Sequence, residues 1–166
     1  KKRGTECRCI RCREPQWDEK DNKNIKLYVR QYNENGGTEY FISMEDRLKN
    51  KIYGFLRLRL TNEYTLGFLT KYAMIRELHV YGPVVKVDSH NKTSSQHSGY
   101  GKLMMKYAEK IAMENGYWKM AVISGVGVRN YYRKLGYTLE ETYMVKDLEY
   151  CKYKLIYTFS YIFIWL

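Results

Sequence analysis

Two phenols stand side by side at Tyr131 and Tyr132, inside Val128-Arg129-Asn130-Tyr131-Tyr132-Arg133-Lys134-Leu135-Gly136-Tyr137. A phenol keeps its proton at neutral pH and can donate to a leaving thiolate. Neighbours on a helix point about 100° apart, so one tyrosine faces a reacting group while the other packs or touches the cofactor chain. Upstream, Gln96-His97-Ser98-Gly99-Tyr100-Gly101 runs into a helix expected from Lys102. Glycines at 99 and 101 let the backbone take positive φ and approach a ligand. The N–H groups of the turn and the positive end of the helix dipole then face an anion, so the run reads as a pyrophosphate cradle. Glu77 and His79 sit two apart on one strand face, where either could act as a base, bind substrate, pair with Arg76 or ligate a metal. A buried, satisfied role for them is equally open. Cys7, Cys9 and Cys12 form a tight thiolate cluster that can wrap one tetrahedral ion, zinc by default. It lacks a fourth ligand nearby, and His79, His90 and His97 are the histidines available.

The elements that must position these groups follow from periodicity. Residues 1–24 are polar and aperiodic and read as a linker carrying the cysteine cluster. Ile25 to Tyr32, Glu39 to Met44 and Ile52 to Leu60 read as strands, with a turn at Asn35-Gly36-Gly37. In the third strand, Ile52, Gly54, Leu56, Leu58 and Leu60 share one face, with Tyr53, Phe55, Arg57 and Arg59 on the other. That alternation predicts a half-buried strand of a mainly antiparallel sheet. Tyr72 to Tyr81 is a further strand, Val84 to Val87 continues extended, and 88–95 is a polar loop. The helix from Lys102 to Asn115 should bury Leu103, Tyr107 and Ile111, with Met104, Ala108 and Ala112 beside them, and stop at Gly116 in the αL conformation. Met120 to Ser124 is a buried strand, Val128 to Lys134 the tyrosine helix, and Tyr137 to Val145 the closing strands. Strands first, then helices alternating with strands, give an α/β (α+β) layered sheet.

The chain has 166 residues, enough for one domain with a real core, and a net charge of +11 from 29 basic against 18 acidic residues. That balance favours a polyanionic partner, RNA or the phosphates of a coenzyme. Arg57, Arg59, Lys86, Lys92 and Lys102 are the expected RNA contacts. The 18 tyrosines interleave with Lys and Arg and could stack on bases or simply fill strands and core. No signal peptide is visible, and three cysteines within six residues make a poor disulfide framework, so a reducing compartment is expected. The opening Lys1-Lys2-Arg3 reads as a piece of a longer polypeptide.

A Q-x-x-G-x-G loop, then a helix, a strand and a tyrosine helix ending in Leu-Gly-Tyr is the order found in the coenzyme A site of GNAT-superfamily N-acetyltransferases, which this sequence resembles. Four blocks narrow the likeness: Arg76 to Gly82, Gln96 to Gly101, Ala121 to Gly127 and Tyr131 to Tyr137. Together they resemble the C-terminal acetyltransferase-like domain of the Elongator catalytic subunit family, over about Cys7 to Lys146. The resemblance implies a GNAT fold, a mixed, mainly antiparallel central sheet flanked by helices over 25–147. It implies an acyltransferase that binds acetyl-CoA and serves carboxymethylation of the transfer RNA wobble uridine. Gln96, His97, Ser98, Gly99, Tyr100 and Gly101 would hold the cofactor phosphates. Val80 and Tyr81 would offer backbone groups to the acetyl carbonyl, and Tyr131 or Tyr132 would face the thioester. In that family S-adenosylmethionine and an iron–sulphur cluster belong to a separate radical domain, which this chain lacks. Members also carry a cysteine cluster between the two domains.

Two departures stand out. The family usually has an aromatic residue where this chain has Ser95, and Gly-Gly-Trp where it has Gly36-Gly37-Thr38. The apolar tail, 148–166, lies beyond the family pattern and reads either as the start of a membrane anchor or as an added packed element. The expected partners are transfer RNA and other Elongator subunits, in the cytoplasm or nucleus, with membrane association if the tail is an anchor. Two other readings stand beside this one: a free-standing N-acetyltransferase acting on lysine or a small amine, and a non-catalytic RNA- or partner-binding module.

Overall fold

The computed structural model describes residues 4, 7–15, 24–62, 71–81 and 98–148. Strands β1 (Lys26–Glu34) and β2 (Gly37–Asp46) form a hairpin in which Glu34 faces Gly37. Its two-residue turn, Asn35-Gly36, has positive φ at both positions (44° and 70°), the primed geometry whose twist suits a hairpin and which Asn-Gly favours. β3 (Lys51–Leu60) and β4 (Tyr72–Val80) continue the antiparallel run. Then come α1 (Ser98–Glu114), β5 (Lys119–Val122), a 3-10 turn at Val126–Val128, α2 (Arg129–Arg133), β6 (Thr138–Glu140) and β7 (Tyr143–Asp147). The seven-stranded sheet has the order β1-β2-β3-β4-β5-β7-β6. Among the described strands, only β4 and β5 pair in parallel. The expected fold class, a mixed and mainly antiparallel sheet flanked by helices, is the one found.

The larger core lies between the sheet and α1. Ile42, Leu56, Leu58 and Ile75 of the sheet pack there with Met104, Met105, Ala108 and Ala112 of α1. The expected helix face is partly wrong: Leu103 and Tyr107 are exposed, and Met105 and Met113 are buried instead. Alanines and flexible methionines let the helix lie close on the sheet, and the bulky pair turns outward. Gly54 serves the same approach, because a β-carbon there would meet the Met104 methyl at 3.1 Å.

The far face of the sheet is covered too. Ile52, Phe55 and Tyr81 form a cluster capped by Ile10 and Phe41. The Cys7 to Arg13 stretch, expected as linker, therefore packs on the sheet through Ile10, and the Arg13 guanidinium meets the Glu45 carboxylate at 2.8 Å. Two β-bulges reset which side chains face which way. Met44 pairs with Gly54 and Glu45 with Ile52, so Tyr53 is an extra residue on β3. Ile52 consequently joins the far-face cluster and not the face of Leu56 and Leu58. Tyr53 and Phe55, expected on the open side, are buried. The second bulge, on β4, shapes the site.

At the C-terminal end, Leu148 still belongs to the main core and its N–H donates to the Trp118 carbonyl. Val84 to Val87, the 88–95 loop and 149–166 lie outside the described residues. Among the described residues, no helix is long and apolar enough to cross a membrane.

Candidate active site

β4 and β5 pair only from Tyr72–Lys119 to Ile75–Val122, with a last bond from the Ile123 N–H to the Ile75 carbonyl. Beyond Ile75, β4 runs on alone against β3, so the sheet opens into a wedge between the two parallel strands. The opening coincides with the second bulge. Arg57 pairs with Glu77 and Leu58 with Ile75, leaving Arg76 as the extra residue. Arg76 and Glu77 both point to the far face, and the alternation restarts with Leu78 and Val80 toward α1. The Tyr81 N–H donates to the Tyr53 carbonyl at 3.0 Å. In the antiparallel register the backbone groups of Leu78 and Val80 therefore point away from β3, into the wedge. Of the two expected carbonyl-binding positions, Val80 has its N–H available and Tyr81 has spent it.

Tyr131 comes to the wedge from α2. Its hydroxyl is buried with no hydrogen-bond partner among the described residues, and its ring packs edge-on against Tyr132, centroids 5.2 Å apart. A β-carbon at Gly101 would lie 2.6 Å from that hydroxyl and 3.5 Å from Cγ2 of Val80. One spot thus gathers the first turn of α1, the end of β4 and the tip of Tyr131. Tyr132 faces the core, 5 % exposed, against Tyr137. The two tyrosines divide as their helical offset requires, and Tyr131 is the one at the wedge. Burial, with a smaller push from Tyr132, raises the Tyr131 pKa to about 12.

α1 begins at Ser98, four residues before the expected Lys102. Gly99 and Gly101 are helical, and neither has the positive φ expected of a looped cradle. Gly101 is glycine because of the Tyr131 hydroxyl, and Gly99 faces open space. The helix opens with no acidic residue in its first turn, so its own side chains leave the positive end of its dipole uncompensated. Gln96 and His97 lie outside the described residues.

Residues 6–137 match the Acetyltransferase (GNAT) family. The chain belongs to this family. Elongator complex protein 3 of Bos taurus is 48% identical over 153 residues, covering 88% of this chain and 28% of that protein. The Saccharomyces cerevisiae protein of the same name is 46% identical over 154 residues, covering 87% and 28%. The solved archaeal Methanocaldococcus infernus Elp3 matches with a TM-score of 0.75 at 42% identity, over 89% of this chain and 37% of that one. The chain spans less than a third of the length of these curated relatives.

In this GNAT domain Glu77 and His79 share a face as expected, but it is the far face, across the sheet from the α1 side where Tyr131 packs. His79 lies between Phe55 and Tyr81, with ring centroids at 5.8 and 4.5 Å. Glu77 reaches Arg57 at 4.0 Å and is nearly half exposed.

Sequence reasoning missed two carboxylates buried on the far face. Glu39, fully buried, takes Arg76 at 2.6 Å, Arg59 at 3.3 Å and Arg57 at 3.9 Å. Burial alone would raise the Glu45 carboxyl, but hydrogen bonds from Arg30, Ser43 and Arg13 outweigh it and hold its pKa at about 2. The expected RNA contacts Arg57 and Arg59 are therefore structural as well. Lys102 is exposed on α1, away from them, while Lys86 and Lys92 lie outside the described residues. A groove of about 640 Å³ between the N-terminal stretch and the first hairpin adds a basic surface that spacing did not reveal, lined by Arg8, Arg13, Arg30 and Arg47.

The Cys7, Cys9 and Cys12 sulfurs lie within 4.8 Å of one another, all exposed, and among the described residues no fourth ligand joins them. Hydrogen bonds, led by the one from the Cys12 N–H, lower the Cys9 thiol to about 7, and the neighbouring thiols push Cys12 up to about 11. A thiol lowered into the neutral range gives a divalent ion a ready first ligand.

Proposed function

We propose that this chain is the acetyl-CoA-binding acyltransferase domain of an Elongator-type enzyme that modifies the wobble uridine of transfer RNA at C5. The observation that carries the coenzyme reading is the Tyr131 hydroxyl, a buried donor with no partner among the described residues, set at an open wedge in a GNAT sheet. A donor left unpaired there costs stability unless a ligand takes the bond. When bound, acetyl-CoA supplies an acetyl group activated as a thioester. The α1 N-terminus from Ser98 to Gly101, preceded by Gln96 and His97, holds the pyrophosphate through backbone N–H groups. The Val80 N–H hydrogen-bonds the acyl carbonyl, while Tyr81 braces the strand end.

Tyr131 donates a hydrogen bond at the thioester sulphur. A phenol near 12 is a weaker acid than a thiol, whose ordinary pKa is about 8.5. Its part is stabilising charge as it develops on sulphur rather than delivering the proton outright. Tyr132 fixes the Tyr131 ring. Glu77 and His79, on the other face, contact the acceptor side and not the cofactor.

The similarity to Elongator complex protein 3 supports transfer RNA as substrate and other Elongator subunits as partners, in the cytoplasm or nucleus. The basic groove and Lys102 give RNA phosphates a seat. S-adenosylmethionine chemistry is left to a radical domain outside these residues. Cys7, Cys9 and Cys12 hold a zinc ion.

Calorimetry of the full-length protein with acetyl-CoA, with and without transfer RNA, tests the reading. Binding of both ligands is expected. Acetyl transfer to lysine or a small amine without RNA would favour a free-standing N-acetyltransferase, and no coenzyme binding would leave an RNA- or partner-binding module.

A further inference from the structure

We propose that Glu39 and Arg76 form a positioning pair that holds the β4 bulge, and through it keeps the Val80 N–H aimed into the wedge at the acyl carbonyl. The inference rests on the acetyl-CoA reading above and names residues that reading does not use. Glu39 lies on β2 and Arg76 on β4, with β3 between them. The two side chains, reaching toward each other over β3, together span two inter-strand spacings, about 9 to 10 Å, and put Nη1 of Arg76 2.6 Å from Oε1 of Glu39. The carboxylate it reaches is completely buried.

The electrostatics argue that Arg76 is there for more than charge balance. Arg59 already meets the same oxygen at 3.3 Å, and Arg57 lies 3.9 Å from the other. Two guanidinium groups from the neighbouring strand suffice to compensate one carboxylate. The third comes from Arg76, the β4 residue skipped between the Arg57–Glu77 and Leu58–Ile75 pairs of the ladder. An extra residue in a strand can migrate along it unless something pins it, and slippage by one position turns every following side chain over. Past this bulge the residues at stake are Leu78 and Val80. Both now face α1, and Val80 Cγ2 lies 3.5 Å from where a Gly101 β-carbon would sit. If the bulge slid beyond Val80, these side chains would turn to the far face, and the N–H groups at 78 and 80 would swing onto β3. The pair therefore sets which backbone donors the wedge contains, from the opposite side of the sheet and without touching the cofactor.

A structural brace and a positioning pair differ in which ligand they affect. The carbonyl-directed N–H distinguishes acetyl-CoA from CoA, whereas the phosphate cradle treats them alike. The experiment is calorimetry of full-length wild type, Arg76→Ala and Arg76→Lys with each of the two ligands, alongside thermal unfolding. Wild type should prefer acetyl-CoA. Arg76→Ala should lose that preference by about three- to tenfold, the share of one hydrogen bond, with CoA affinity nearly unchanged and unfolding still cooperative. Arg76→Lys, which keeps the charge, should recover part of the preference. Where Arg76→Ala fails to fold, Arg76→Gln gives the same comparison. Equal weakening of both ligands, or a preference that survives the loss of Arg76, overturns the proposal. A wild type that binds both ligands equally overturns it while sparing the coenzyme reading, and a wild type that binds neither sinks that reading too.

Discussion

The Tyr131 hydroxyl occupies the place that a β-carbon on residue 101 would need, with 2.6 Å between them. Glycine at 101 and tyrosine at 131 are therefore one choice made at two positions. Gly101→Ala gains helix propensity worth about 1 kcal/mol but displaces the phenol tip. The expected outcome is a near-neutral effect on stability and a clear loss of acetyl-CoA binding, about tenfold. Adding Tyr131→Phe should relieve the clash. The double-mutant cycle for stability should then show coupling of about 0.5 kcal/mol or more, and strict additivity would place the hydroxyl elsewhere.

The two tyrosines should separate in their phenotypes. Tyr131→Phe removes a buried hydroxyl that has no partner among the described residues, so stability should hold or rise slightly while acetyl-CoA hydrolysis or transfer drops. Tyr132→Phe should leave turnover largely intact, since that ring belongs to the core. The folded Tyr131 pKa of about 12 lies above its ordinary 10. Folding suppresses its ionisation, so stability is independent of this group below pH 10 and falls as pH rises toward 12, and its donor role is insensitive to pH near neutrality. A Tyr131-dependent rate that titrates in the neutral range would contradict this.

Acid should find Glu45. Its carboxyl sits at about 2 against an ordinary 4.5, so the folded state holds fewer protons than the unfolded one in that window. Stability from this group is present above about 4.5 and disappears as pH falls to about 2. Urea midpoints measured across that range should fall more steeply for wild type than for Glu45→Gln. At neutral pH the variant should be less stable by roughly 3 kcal/mol, because Arg13 and Arg30 lose their counter-charge.

RNA binding calls for a careful choice of residue. Charge reversal at Arg57 and Arg59 would set acids against buried Glu39, so those variants should unfold before they report on RNA. Arg8→Glu with Arg47→Glu, on the groove rim, should instead weaken transfer RNA binding and flatten its salt dependence, with slope contributions of about 0.9 per phosphate lost on duplex, while acetyl-CoA affinity holds. Equal RNA affinity in the double variant would remove the groove from the interface.

Zinc analysis of full-length protein should find one ion that leaves as pH falls, since the thiols must give up protons to ligate. Ser substitution at Cys9, whose thiol is lowered to about 7, should release it. Protein purified without zinc would end the assignment.

Much of the sheet was legible because local chemistry and global fold agree there. Asn35-Gly36 can close a hairpin almost unaided, and Gly116 and Gly136 stop their helices with positive φ as expected. Three things were hidden for identifiable reasons. A bulge leaves no trace in an alternating pattern, so the facing of Ile52 was misread. α1 carries apolar residues around much of its circumference, and only the close approach of the sheet decides for Met105 over Leu103. Glu39 and Glu45 alternate with apolar residues along β2 like any solvent-facing set. Their arginines come from β1, β3, β4 and the N-terminal stretch, positions no local window can join. The division of labour between Tyr131 and Tyr132 was foreseen in kind but needed the core to say which was which.

Four residue pairs join β4 to β5, against six or more at each junction among the first four strands. The sheet thus has two leaves, β1 to β4 and β5 to β7, joined by a short seam and by the core they share with α1. Amides along the seam should exchange with solvent sooner than those within either leaf. A compound wedged into the opening and gripping both leaves would stiffen regions it never meets, so slowed exchange in β1 or β6 upon coenzyme addition would report mechanical bracing rather than contact.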